Sequence, residues 1–356
     1  MAKDYNIKLS DYEFLLHLLE SNNDGSKLIN TDISLLKYFI KRVRHNFDVP
    51  TSDESVDLYT SVIDDLQGIQ KASRVISILE DYPTFFHIEY DTVPEYKSIV
   101  IPDKKAVDIA YRFFRSQNET YYSNFLDVYD TLSDHLKFIK PNKNTAGETH
   151  FIQTTGDAFI YVPNYSNISK VTILIHEIQH VMDALENAGF WYQPFIKETA
   201  AMFMELISTD YVANELHMQS EAVKRKAEIH HIVSGDRSLL LDKKEMFDSL
   251  VGKKISADNF LQELSNTGYT DEEVKSILYN STDLLIGYQL PQYIAIELYY
   301  LYQTNKSKAL EILLNIVRYG NDANIFDILG VYGIHVGSHL TSYESELGKK
   351  LQIKRS

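Results

Sequence analysis

Apolar positions recur at intervals of three and four along most of the chain, the spacing that gives a helix one buried face. The spacing predicts helices in "MAKDYNIKLSDYEFLLHLLE" at the start, over 33–47 and over 55–82, the last ending at Pro83, which cannot continue a helix. Residues 85–102, "FFHIEYDTVPEYKSIVIP", instead mix β-branched and aromatic residues with prolines and predict an extended connection or edge strand. A soft boundary is placed near residue 105, dividing 1–105 from 106–356, and helical spacing resumes over 105–139. "ETHFIQTT" and "AFIYVP" then read as two short strands joined at Gly156-Asp157. A helix over 171–185 and another over 191–212 follow, and 195–356 is mostly helical apart from a charged stretch at 234–259. The expected fold class is mainly α, with a small β-sheet beside the 171–185 helix.

Composition narrows the chemistry. The length, 356 residues, allows two domains or one large elongated one. With 50 acidic against 35 basic residues the net charge is −15, which disfavours a nucleic-acid partner because phosphates need a basic face. There is no cysteine, so thiolate nucleophiles, disulfides and cysteine zinc sites are excluded and any metal falls to His, Asp or Glu. The first twenty residues lack a basic start followed by an apolar core, and no apolar run reaches the roughly 18 residues of a membrane span. The expectation is a soluble cytoplasmic protein without a membrane partner.

"VTILIHEIQHVMDAL" (171–185) carries the candidate chemistry. Residues four apart lie one turn above each other, so His176 and His180 can aim ring nitrogens at one ion. Glu177 is turned about 100° from His176, a poor place for a ligand. It is a good place for the general base that reaches the attacking water in a zinc hydrolase. The competing reading is a buried helix that happens to carry two histidines, and these would still need polar partners. A catalytic zinc takes three protein ligands and leaves one position open. In "WYQPFIKETAAMFMELISTDYV" (191–212), Glu198 and Glu205 are seven apart on an otherwise apolar face with Met202 between them. Glu198 is the natural third ligand, and Glu205 could hold the outer nitrogen of a ligand histidine. Otherwise Glu198 only favours the helix N-terminus and Glu205 is a solvated charge. Asp183 could orient a ligand or carry surface charge. His230 and His231 adjoin the charged stretch and read as a solvated pair, while His335 and His339 read as packing or surface, with no acid nearby to complete a site.

The ordered segments resemble the oligoendopeptidase F branch of the thimet-oligopeptidase-like zinc metallopeptidases. "PNKNTAGETHFIQTTGDAFIYVPNYSNISKVTILIHEIQH" is similar to that family's loop, β-hairpin, turn and zinc helix, and "KETAAMFMELISTDYV" to its second helix. "YNSTDLLIGYQLPQYIAIELYYLYQ" is similar to its tyrosine-bearing helix, and 309–336 to its closing segment. The match spans roughly 106–340. It implies a helical, gluzincin-type zinc-peptidase fold with Zn²⁺ on His176, His180 and Glu198, Glu177 as base and Glu205 supporting a ligand. A tyrosine, Tyr288 or in reserve Tyr293, would donate to the oxyanion. Residues 1–105 would be a reduced helical N-terminal lobe and 106–356 the catalytic domain. The sequence departs from the family at Gln179, where glycine is common, in a short His180-to-Glu198 gap, and in the small N-terminal portion that limits channel formation. The strand "GDAFIYVP" could add an extended substrate along a sheet edge.

The expected function is hydrolysis of short oligopeptides by a zinc metalloendopeptidase. The alternatives are an exopeptidase or dipeptidase on the same scaffold, a metal- or peptide-binding relic without turnover, and a helical interaction protein without metal. An intact Glu177 argues against the relic, which would be free to lose its base. Oligomeric state, cleavage preference and the cell's choice of metal have no signal in the sequence.

Overall fold

The computed structural model describes residues 7–45, 98–141, 147–186, 194–234, 266, 289–319 and 325–351. The expected helix at 55–82 and residues 85–97 of the extended segment at 85–102 lie outside them. The protein is mostly helical with one small sheet. Its chain divides into two compact units, residues 1–51 with 97–188, and 52–96 with 189–356.

The first unit begins with α1 (Leu9–Ser21) and α2 (Lys27–Arg44). Ser26 caps α2 by accepting from the Ile29 amide, and Lys41, Arg42 and Arg44 complement the negative end of its dipole. Helices α3 (Asp103–Arg115), α4 (Glu119–Tyr129) and the single turn α5 (Leu132–His135) follow. Phe114 of α3 stacks on Phe125 of α4 with ring centroids 4.6 Å apart. Next come strands β1 (Leu136–Ile139), β2 (Glu148–Ile152) and β3 (Asp157–Pro163), then α6 (Ser169–Glu186).

The expected hairpin is present: β2 and β3 pair antiparallel, with Thr149 opposite Ile160 and His150 opposite Phe159. Gly156 closes the turn at φ +73°, where a side chain is strained, and its amide donates to Ile152 O at 2.8 Å. Residues 136–139 correct the sequence reading. The segment expected to stay helical through 139 ends as β1, parallel to β3, and the sheet order is β1-β3-β2. β3 is therefore the central strand, with β1 alongside residues 160–163 and β2 alongside residues 157–161.

Alternation along the hairpin gives each face a different neighbour. Ile152, Phe159 and Tyr161 join the core formed with Tyr12, Leu15, Leu36 and Phe39 of α1 and α2. Polar ties fix the same face. Tyr12 Oη lies 2.8 Å from His150 Nδ1, Arg42 pairs with Glu148, and buried Asp32 accepts from the Thr154 amide at 2.8 Å. Thr149 points the other way, to α6. At the start of α6, buried Lys170 donates to Ile101 O at 2.7 Å and pairs with Asp103 at 2.6 Å.

The second unit contains α7 (Pro194–Glu215), α8 (Gln219–Ser234), α9 (Gln289–Thr304), α10 (Lys306–Tyr319), α11 (Ile325–Val331) and α12 (Leu340–Lys350). α7 packs mainly on α9 and α8. Ion pairs knit the packing: Arg225 of α8 reaches Glu205 of α7 at 2.5 Å, and Lys226 reaches Asp210 at 2.6 Å and Tyr299 Oη at 2.8 Å.

Candidate metal centre

α6 buries almost its whole circumference, including Leu174, Ile175, Ile178, Val181 and Met182. That packing carries the motif inside: His180 and Glu177 are each only 4 % exposed, and His176 is half-buried. The rings of His176 and His180 lie with centroids 4.7 Å apart and nearly perpendicular. One donor atom from each of His176, Glu177 and His180 falls within 4.8 Å of the others. Nitrogens bind zinc at about 2.0–2.1 Å. Two imidazoles so spaced can share one ion, and the Glu177 carboxylate stays close enough to meet a water beside it. The donor set is of the kind that can hold a metal ion.

β2 and the residue before it shape the Glu177 carboxylate. Thr149 Oγ lies 2.8 Å from Glu177 Oε2 and 3.0 Å from the Glu177 main-chain oxygen, so one hydroxyl donor serves both acceptors. Gly147 passes against the other carboxylate oxygen. A Cβ there would run into Glu177 Oε1 and lie 2.6 Å from Ile173 Cγ2. Gly147 is thus required by close approach rather than by backbone torsion. Sequence reasoning found the hairpin beside the helix but neither of these contacts. The available signal was the small residue and hydroxyl in "GET" at the start of β2.

Asp183 is 2 % exposed and accepts from Gln179 Nε2 at 2.7 Å, so it is not surface charge. Gln179, the departure from the resembled family, thus supplies a partner for a buried carboxylate.

Glu198, Glu205 and Tyr293 belong to the second unit. Glu198 and Glu205 are both buried on α7 with Met202 between them. Glu205 pairs with Arg225, so it is not a solvated charge. Tyr293 is buried on α9, and Tyr288 lies outside the described residues. Two further histidine readings change. His230 is buried with Nε2 3.0 Å from Glu344 Oε1, instead of being solvated, and the side chain of His231 lies outside the description. His339 Nδ1 lies 2.6 Å from Glu297 Oε2, an acid 42 residues away that a local reading does not see, and His335 is exposed.

No protein-family model matches the sequence, and no curated protein matches it. Solved structures are similar to it over most of its length, each with a TM-score below 0.5. PZ peptidase A, in a complex with an inhibitor, is 12 % identical with a TM-score of 0.49, over 90 % of this chain and 61 % of its own. A protein from Bacillus anthracis described as an oligoendopeptidase F is 15 % identical with a TM-score of 0.46, over 98 % and 68 %. One from Chlamydophila abortus described as a peptidase is 15 % identical with a TM-score of 0.49, over 97 % and 62 %. The chain thus spans about 61 % of the length of the first of these. Fold and function are separate properties, and the functional reading rests on the site.

Proposed function

We propose that the protein is a zinc-dependent metallopeptidase acting on short oligopeptides. The observation that carries this is the cluster of half-buried His176 with buried Glu177 and His180, with donor atoms within 4.8 Å of one another on one helix. In this reading His176 and His180 hold the metal and Glu198 is the third protein ligand. Glu205, already paired with Arg225, supports a ligand histidine. Zinc in such a site acidifies water and polarises a carbonyl. Glu177 accepts the proton of the attacking water and delivers it to the departing amine, so the peptide bond breaks with no net change in the carboxylate. A phenol, Tyr288 or Tyr293, donates to the oxyanion. Residues 1–105 act as a reduced N-terminal lobe and 106–356 as the catalytic part.

The test is cleavage of internally quenched peptides about five to fifteen residues long by wild type and Glu177→Gln. General-base loss is expected to lower kcat by at least about 10²-fold while zinc stays bound. A zinc-loaded wild type with no turnover on any peptide would leave a binding relic instead. Fragments cut internally or from the ends separate endopeptidase from exopeptidase.

A further inference from the structure

We infer that Thr149 is a positioning residue for Glu177, holding the base in one orientation from a strand braced on its opposite face. The inference rests on the peptidase reading above. Glu177 sits on a helix, and its long side chain has several rotamers open to it. Two contacts narrow the choice. The Thr149 hydroxyl engages Oε2 at 2.8 Å, and the bare backbone of Gly147 lies against Oε1. The hydroxyl also reaches the Glu177 main-chain oxygen at 3.0 Å, so strand and helix are tied at the residue that bears the carboxylate.

The strand is held from behind. Glu148 and His150 flank Thr149 and point to the other face, where Arg42 pairs with Glu148 and Tyr12 bonds His150. Phe39 stacks on the His150 ring at 3.9 Å with planes 4° apart. A hydroxyl on a strand fixed this way cannot follow a wandering carboxylate; it selects the orientation of the carboxylate. Such preorganisation acts on the turnover step and leaves peptide binding alone.

The test compares wild type, Thr149→Val, which keeps the shape and removes the donor, and Thr149→Ser, which restores the donor without the methyl group. Hydrogen bonds to charged groups of this kind correspond to about ten- to hundredfold effects. In Thr149→Val, kcat is expected to fall at least about tenfold with KM and zinc content unchanged, and Thr149→Ser is expected to recover most of the loss. Crystal structures of the same three proteins give a readout independent of turnover. Glu177 should keep one orientation in wild type and Thr149→Ser and shift or split in Thr149→Val. An active wild type with an equally active Thr149→Val, or an unmoved Glu177 in that variant, overturns the inference. Equal losses in Val and Ser variants assign Thr149 to packing and overturn it too. A wild type that binds no zinc and cleaves nothing defeats the peptidase reading instead, which the metal assay on wild type alone reveals.

Discussion

Gly147 shows how much one missing side chain can matter. A methyl group there would crowd both the Glu177 carboxylate and the Ile173 side chain, and both must give way. Gly147→Ala is expected to lower kcat at least about tenfold while the folded protein keeps its metal, because Glu177 is the more movable neighbour. Steady-state kinetics beside a metal assay checks this. Glu148, the next residue, gives a pH signature. Burial pushes its pKa up, but the bonds and charges of His150 and Arg42 outweigh burial and hold it below the ordinary value. A carboxylate with a lowered folded-state pKa stabilises fully above its unfolded value and loses that contribution as pH falls through the folded value. Glu148→Gln is therefore expected to cost about 1–3 kcal/mol at neutral pH and progressively less on acidification below the usual glutamate range, read from urea midpoints across pH. The histidine and glutamate positions in α6 were legible because a four-residue interval has one meaning on a helix. Thr149 and Gly147 were not, because their role exists only once a strand is laid against that helix.

At the scale of elements, the helices read at 33–47, 171–185 and 191–212 overlap α2, α6 and α7, the hairpin with its glycine turn is present, and 105–139 divides into α3, α4, α5 and β1. β1 was missed for a physical reason. "LKFI" is a short stretch of three apolar residues around Lys137 that suits a helix or a strand equally, and its parallel partner β3 begins 21 residues after β1 does. That same pairing makes β3 the central strand. Among the helices of the second unit, α7 and α8 are joined by a charge pair that no local pattern announces. Arg225 lies between Glu205 and Glu228, at 2.5 and 2.6 Å. Removing one member of a buried pair strands the other charge. Arg225→Met is expected to destabilise the protein by about 2–4 kcal/mol, and adding Glu205→Gln to it is expected to restore part of the loss. Denaturant unfolding of the two variants decides this; equal stability of wild type and Arg225→Met would contradict it.

At the scale of the molecule, each compact unit is built from two separated segments of the chain. Residues 1–51 belong with 97–188, since α1 and α2 cover one face of the sheet that carries Thr149 on the other. The compact units divide the chain at other places than the boundary near residue 105 expected from the sequence pattern. Sequence order hides this because the cores form between segments roughly a hundred residues apart. No helix among the described residues is long and apolar enough to cross a membrane. The central claim is that α6 is a metal helix completed by Glu198. Metal stoichiometry by mass spectrometry on purified protein tests it most directly, with wild type beside His180→Ala and Glu198→Ala. About one zinc per chain in wild type, lost in both variants, is the expected result. A wild type that takes up no metal when zinc is offered would contradict the account and leave His176 and His180 as residues of a packing helix. Full zinc in Glu198→Ala would remove Glu198 from the ligand set.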